Sequence, residues 1–153
     1  MVHLHEMTEV ARERLINQEL PEFADTPCVA GPPLAERRIA IITTAGLHRS
    51  NDKPFAPGMG EYRIIPDDID MRDLVMSHVS TNFDRTGFFQ DLNVVFPIEQ
   101  LRELARQGAI GSIAKRHYAF MGATPPGAME AVASDLATIL KDDKVDGLLL
   151  AGV

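Results

Sequence analysis

A short, almost continuous apolar run at residues 38–44 constrains the fold more than any other feature of the sequence. It is rich in β-branched residues, which is typical of a strand covered on both faces. Residues 145–151 have the same character, and helical patterns occupy residues 97–108 and 127–141 between the two runs. This alternation predicts an α/β fold with a mostly parallel sheet covered by helices on both faces, in a three-layer, Rossmann-like arrangement.

Weaker patterns complete the prediction of secondary structure. Pro97 suits a first helical turn and Gly108 a position just after the last one, so both ends of that helix are marked. Shorter strands are predicted at residues 62–65 and 75–79 and at either 113–114 or 117–120, and loops at residues 45–61 and 80–93.

The first 35 residues differ in character from the rest. Residues 5–18 place apolar side chains near helical spacing, and residues 20–35 are rich in proline. We therefore divide the chain into an N-terminal helix and proline-rich connector, residues 1–35, and an α/β domain, residues 36–153.

Composition excludes several classes of protein. The formal net charge is −7 and basic residues form no stripe, which disfavours nucleic acid as a partner. The single cysteine, Cys28, rules out an internal disulfide and a cysteine-rich zinc site. No stretch approaches the roughly 18 apolar residues of a membrane span, so no membrane partner is expected and the cytoplasm is the expected location. The histidines lack the short spacing of a metal motif, and no metal site is predicted.

The run at residues 145–151 lies two residues from Val153, the last residue of the sequence. A central parallel strand needs a crossover helix after it, so we expect a domain that is incomplete at its C-terminus. In such sheets ligands bind outside the carboxyl ends of the strands, where this chain stops. The alternative is an antiparallel or edge strand that ends the domain.

Several segments resemble one known family over about residues 36–153. They are residues 43–48, residues 77–80 followed by 82–85, the stretch from 91–98 through 108–111 to 120–122, and residues 145–150. Together they are similar to the selenoprotein B family of glycine, sarcosine, betaine and D-proline reductases.

The resemblance implies a subunit of an amino-acid reductase complex that reductively cleaves a C–N bond alpha to a carboxylate. The nucleophile would be a selenocysteine, encoded by UGA, or a cysteine just beyond Val153, and the recorded chain would be inactive without it. No cofactor is expected on this chain, whereas a pyruvoyl group can lie on a partner subunit. The implied partners are other subunits, a small amino-acid or N-methylated substrate, and a thioredoxin-like or dithiol electron donor.

Seven residues are candidates for the site. His48, His78 and Asp84 are assigned catalytic roles, because an imidazole can lower the pKa of a selenol and a carboxylate can orient an amine or a histidine. Substrate-binding roles are assigned to four others, namely Asp91, Asn93, His117 and Gly122. The alternative roles are structural: backbone-bonded or packed histidines, capping carboxylates and a turn glycine.

Two other classes of function remain open. The chain can be a non-catalytic assembly or binding module that contacts a partner through an open sheet edge. It can also be a small-molecule or phosphate-binding α/β domain that uses glycine loops at helix N-termini.

Overall fold

The computed structural model describes residues 3–20, 22, 29–80 and 85–153. The helices are α1 (Glu9–Ile16), α2 (Thr86–Gln90), α3 (Ile98–Arg106) and α4 (Glu130–Asp142). The strands are β1 (Arg38–Thr43), β2 (Leu47–Arg49), β3 (Arg63–Pro66), β4 (Leu74–Met76), β5 (Ser112–Ile113), β6 (Arg116–Ala119) and β7 (Gly147–Ala151). Short 3-10 turns lie at Leu4–Glu6, Leu34–Glu36, Met71–Asp73, Leu92–Val94 and Pro126–Met129.

Strand β1 is the centre of the sheet. Along one edge it pairs in parallel with β7, from Ile39 opposite Gly147 to Thr43 opposite Ala151. Along its other edge it pairs in parallel with two short strands, β5 at its beginning and β6 at its end. The apolar run at residues 38–44 therefore forms a strand that is paired along both edges.

The sheet is mixed rather than uniformly parallel. Strand β3 runs antiparallel to β6 at the outer edge, and β2 and β4 form a separate antiparallel pair. Between β1 and β3 the chain reverses through β2 and a Gly/Pro-rich loop instead of a crossover helix, and a connection of that kind favours antiparallel pairing. The α/β class is confirmed, but the sheet is not a clear example of the parallel, Rossmann-like three-layer arrangement that the sequence predicted.

Side chains alternate between the two faces of β1, as the period of a strand requires. Ile39 and Ile41 belong to one apolar cluster with residues of α3, and Ala40 belongs to a second cluster with Leu136 and Leu140 of α4. One helix thus packs against each face of the central strand.

Strand β7 is the least covered strand of this sheet. No other described strand pairs with its outer edge. Its leucines are exposed although they lie in an apolar run, with Leu148 at 46%, Leu149 at 38% and Leu150 at 69%. Helix α1 also buries no residue, so the apolar spacing at residues 5–18 does not produce a packed face.

Candidate functional site

The carboxyl ends of β1, β6 and β7 meet at Thr44, the residue after β1. The backbone N–H of Thr44 donates to the carbonyl of Ala151 at 3.0 Å, and its own carbonyl accepts from the N–H of Gly122 at 2.8 Å. The hydroxyl Oγ1 of Thr44 accepts from the N–H of Val153 at 2.8 Å. One residue therefore holds the chain that leaves β7 beside the chain that leaves β6. We call Thr44, Gly122 and Val153 the carboxyl-edge junction.

The loop after β4 packs onto the loop after β1. Gly46 has a φ of +67°, and a Cβ at this position would lie 3.0 Å from the backbone N and Cα of His78. The N–H of Ser77 donates to the carbonyl of Gly46 at 3.0 Å. A glycine is required at residue 46 both by its backbone conformation and by this close approach.

His78 is buried at this contact, with 4% of its surface exposed. Its Nδ1 accepts from the N–H of Ser80 at 3.2 Å, and its carbonyl accepts from Nη2 of Arg85 at 2.8 Å. Burial lowers the pKa of His78, and the nearby Arg85 lowers it further. Both effects favour the neutral imidazole, whose acceptor nitrogen Nδ1 is occupied by the bond from Ser80.

A cleft of about 1350 Å³ opens between α1 and the loops that follow β4 and β6. Val79 and Ser80 line it on one side, Gly122 and Thr124 on another, and residues of α1 on the third. The predicted site residues His78 and Gly122 therefore lie at or next to the same cleft, at the end of the sheet where α/β folds bind ligands.

His48 lies in β2, away from this cleft. It is 3% exposed, and its Nδ1 lies 2.8 Å from the carbonyl of Arg49, to which a protonated Nδ1 donates. Its ring meets Phe55 edge-on at 6.4 Å between centroids. The Nε2 atom is buried and has no hydrogen-bond partner among the described residues.

His117 lies in β6 and is fully buried. Its Nδ1 accepts from the backbone N–H of Ile41 at 3.0 Å, and its ring packs edge-on against Phe96. The pKa of His117 is lowered to about 4, mainly because burial penalises the charged form. The geometry places this histidine inside the sheet rather than at its carboxyl edge.

Asp91 and Asn93 form a local network before α3. Oδ1 of Asp91 accepts from the N–H and from Nδ2 of Asn93 at 2.9 and 3.0 Å, and Nδ2 of Asn93 also donates to Glu99 at 2.6 Å. This arrangement is that of a cap on the 3-10 turn Leu92–Val94. The predicted catalytic residue Asp84 and the single cysteine Cys28 lie outside the described residues.

The junction adds residues that the sequence did not single out. Thr44 and Val153 were not candidates, although Thr44 belongs to the motif at residues 43–48. Thr124 was also missed; its hydroxyl donates to the carbonyl of Met59 at 2.8 Å and so ties the loop after β6 to the loop before β3. A polar residue directly after a strand was the available signal for Thr44, whereas Thr124 lies five residues after the end of β6 and had no such signal.

Two negative findings apply to the part of the chain that the structure describes. It contains no helix with the length and apolar character needed to cross a bilayer. Within that same part, no three side chains of His, Cys, Asp or Glu are grouped closely enough to hold a metal ion.

Comparison with known proteins identifies relatives of the chain. The D-proline reductase subunit gamma of Acetoanaerobium sticklandii is 33% identical over 120 residues, which are 76% of this chain and 49% of the relative. The glycine reductase complex component B subunit gamma of Symbiobacterium thermophilum is 30% identical over 143 residues, 86% of this chain and 32% of the relative. The chain thus spans about half the length of the first relative and about a third of the second. No solved structure matches it significantly.

A family model covers nearly the whole chain. The model for glycine/sarcosine/betaine reductase selenoprotein B matches residues 16–153, from the last residue of α1 through the carboxyl-edge junction. The match includes all seven strands and every segment on which the resemblance was based. The chain therefore belongs to the glycine/sarcosine/betaine reductase selenoprotein B family.

Proposed function

We propose that the chain is the N-terminal part of a subunit of an amino-acid reductase complex. In this proposal the complete subunit reductively cleaves a C–N bond alpha to a carboxylate, and a selenocysteine or cysteine just after Val153 is the nucleophile. The proposal rests on the family match over residues 16–153. That match extends through β7 to the carboxyl edge of the sheet.

The chemistry requires an anionic chalcogen atom. The anion forms a bond to the substrate carbon while the C–N bond breaks and the nitrogen leaves as an amine. A thiol of a dithiol or thioredoxin-like donor then attacks the chalcogen atom, the chalcogen–carbon bond breaks, and the carbon takes up a proton and leaves as the reduced acid. The second thiol of the donor breaks the mixed chalcogen–sulfur bond, which regenerates the anion and leaves the donor as a disulfide. Only the selenolate or thiolate attacks, so groups that accept its proton increase the reactive fraction. Any pyruvoyl group belongs, in this proposal, to a partner subunit.

The geometry supports His78 and Gly122 as the residues of this chain nearest the reaction. We assign His78 the role of holding the loop beside the cleft as a neutral group, because its lowered pKa favours the neutral ring and its Nδ1 accepts from Ser80, which lines the cleft. Gly122 lines the cleft, and its lack of a side chain leaves room for the backbone of Val153. Asp84 remains a catalytic prediction. For His48, Asp91, Asn93 and His117, the hydrogen bonds described above favour supporting roles over contact with the substrate.

The coding sequence after Val153 tests the proposal first. An in-frame TGA or a cysteine codon just after Val153, followed by a further coding segment, supports it, and a stop codon other than TGA contradicts it. The complete subunit, made with selenium incorporation and combined with its partner subunits, is then assayed on glycine, sarcosine, betaine and D-proline with dithiothreitol as the electron donor. If the complex turns over none of these four substrates, the assignment is refuted.

One observation favours an assembly role as a second candidate. The outer edge of β7 has no partner among the described strands, and one of its exposed leucines, Leu148, lines an apolar groove of about 270 Å³ between α4 and the sheet. An open apolar edge is a surface at which another strand can add. If this candidate is correct, the purified chain forms a specific complex with a partner subunit yet contributes no residue to turnover.

A further inference from the structure

We infer that Thr44 and Gly122 are positioning residues that fix the path of the polypeptide as it leaves β7, and so hold the residue after Val153 at the cleft. The inference rests on the proposed function, because it concerns the placement of the nucleophile in that proposal. Both residues act through the backbone of Val153 rather than by touching a substrate.

Thr44 fixes the chain through its hydroxyl group. The regular pairing of β1 with β7 ends where the N–H of Thr44 bonds to the carbonyl of Ala151. Two residues later, the N–H of Val153 donates to Oγ1 of Thr44 at 2.8 Å. A side-chain hydroxyl thus holds the chain beside β1 after the backbone hydrogen bonds between the two strands have ended. The same hydroxyl donates to the carbonyl of Val153 at 3.5 Å, so both described hydrogen bonds between Val153 and Thr44 depend on it.

Gly122 fixes the chain by its lack of a side chain. A Cβ at this position would lie 2.7 Å from the carbonyl O of Val153 and 3.0 Å from both oxygens of Thr44. Its N–H donates to the carbonyl of Thr44 at 2.8 Å, which keeps it in this place. Any larger residue would have to displace the backbone of Val153 or of Thr44.

The junction also determines where the next residue goes. Gly122 lines the large cleft, and the backbone of Val153 lies directly against Gly122. The N–H of Val79, from the loop that carries His78, lies 3.5 Å from the sulfur of Met121, the neighbour of Gly122. A residue that follows Val153 therefore starts from a backbone held between β1 and β6, beside the His78 loop.

The test uses the complete subunit in its reductase complex. Thr44→Val keeps the shape of the side chain and removes the hydroxyl, and Thr44→Ser keeps the hydroxyl. We expect Thr44→Val to lower kcat by roughly tenfold to a hundredfold with KM within about a factor of two, since a misplaced reacting atom lowers the rate rather than substrate binding. We expect Thr44→Ser to restore most of the loss.

Gly122→Ala provides a second variant with a matched control. It should lower kcat in the same way, whereas Gly127→Ala should not, because a Cβ at Gly127 meets nothing within 4 Å. Thermal unfolding identifies any variant that fails to fold. If Gly122→Ala is unfolded, the Thr44 pair still decides the question.

Hydrogen exchange separates this inference from the proposed function. Protection of the Val153 amide should fall in Thr44→Val and persist in Thr44→Ser, a result that does not depend on activity. If wild-type complex is inactive on all four substrates, the proposed function fails and the positioning role falls with it, whatever the exchange shows. If the complex is active and Thr44→Val matches wild type in kcat and in exchange, only the positioning inference is overturned.

Discussion

Nδ1 of His117 accepts a hydrogen bond from the backbone N–H of Ile41 at 3.0 Å, so a side chain fills a gap in the sheet. The gap exists because β5 ends at Ile113 and β6 begins at Arg116, and the two strands cover different parts of one edge of β1. Since Nδ1 is the acceptor, the neutral ring carries its proton on Nε2. A buried N–H that would otherwise lack a partner is thereby satisfied.

The stability of the protein should depend on pH through His117. Its pKa is about 4 in the folded protein, against about 6.5 in an unfolded chain. The unfolded chain therefore binds a proton that the folded protein excludes, and stability falls as the pH drops from 6.5 toward 4. We expect the difference in His117 protonation to lower the free energy of unfolding by up to about 3 kcal/mol between pH 6.5 and 4. Above pH 6.5 it should have no effect.

Urea unfolding at several pH values, with His117→Gln as the variant, measures the effect. Glutamine can accept from Ile41 but does not titrate, so the variant should lose stability less steeply below pH 6.5. The exposed His5→Gln variant should retain the wild-type slope. Equal slopes for wild type and His117→Gln would show that His117 is not the titrating group.

The contact between Gly60 and Ala128 should not tolerate a methyl group. A Cβ at Gly60 would overlap the carbonyl oxygen and carbon of Ala128, so one backbone segment has to move. We expect Gly60→Ala to lower the free energy of unfolding by about 1–3 kcal/mol. Gly127→Ala, which meets nothing within 4 Å, is the control, and chemical denaturation compares the two. Equal stability would mean that the two loops do not pack in this way.

Two leucines on different elements should differ in their contribution to stability. Leu136 of α4 is 2% exposed, and Leu150 of β7 is 69% exposed. Leu136→Ala should cost about 2–5 kcal/mol, because it removes buried apolar surface and leaves a cavity. Leu150→Ala should cost less than about 1 kcal/mol. A large loss for Leu150→Ala would mean that this strand is covered in solution.

Arg102 should stabilise the turn after β3. Its Nε donates to the carbonyl of Asp67 at 3.0 Å, and its Nη2 donates to the carbonyls of Asp67 and Ile69. Arg102→Met should lower the free energy of unfolding by about 1–3 kcal/mol, since carbonyls in a partly buried site lose a charged donor. Arg106 is on the same helix and mostly exposed, so Arg106→Met is the matched control. Similar losses for both variants would contradict a specific role for Arg102.

Strong local patterns account for the parts of the fold that the sequence predicted. Strands β1 and β7 were predicted because apolar β-branched and leucine-rich runs are distinctive over five or more residues. Helix α3 was predicted from its marked ends and apolar stripe, and helix α4 from apolar spacing. The two alternative strands near residue 115 both exist, as β5 and β6, with a short interruption between them.

The elements that the sequence missed are short and depend on distant partners. Strand β2 has three residues in a Gly/Pro-rich loop, and it is a strand because β4 pairs with it. Helix α2 has five residues within a segment predicted as a loop. The direction of β3 is likewise set by its pairing with β6, which local spacing does not encode.

The candidate site was likewise predicted only where local motifs mark it, and not where it depends on contacts between distant residues. The motifs that contain Gly46, His78 and Gly122 were identified in the sequence, and the structure brings these residues to one end of the sheet. The bond from Val153 to Thr44 could not be predicted, because it joins residues 109 apart in the chain. The position of His117 inside the sheet also depends on the break between β5 and β6, which was not apparent before the strands were placed.

The central place of β1 has a consequence for how this protein is made. Its longest partner is β7, and the bond from the N–H of Arg38 to Asp146 spans 108 residues. At a translation rate of 5–20 residues per second, β1 is synthesised about 5–20 s before that partner. Throughout this interval an apolar, β-branched segment is present on the nascent chain without its main neighbour, the condition under which such segments associate wrongly. Protection by a chaperone during synthesis should therefore raise the yield of folded protein more than any change made after the chain leaves the ribosome.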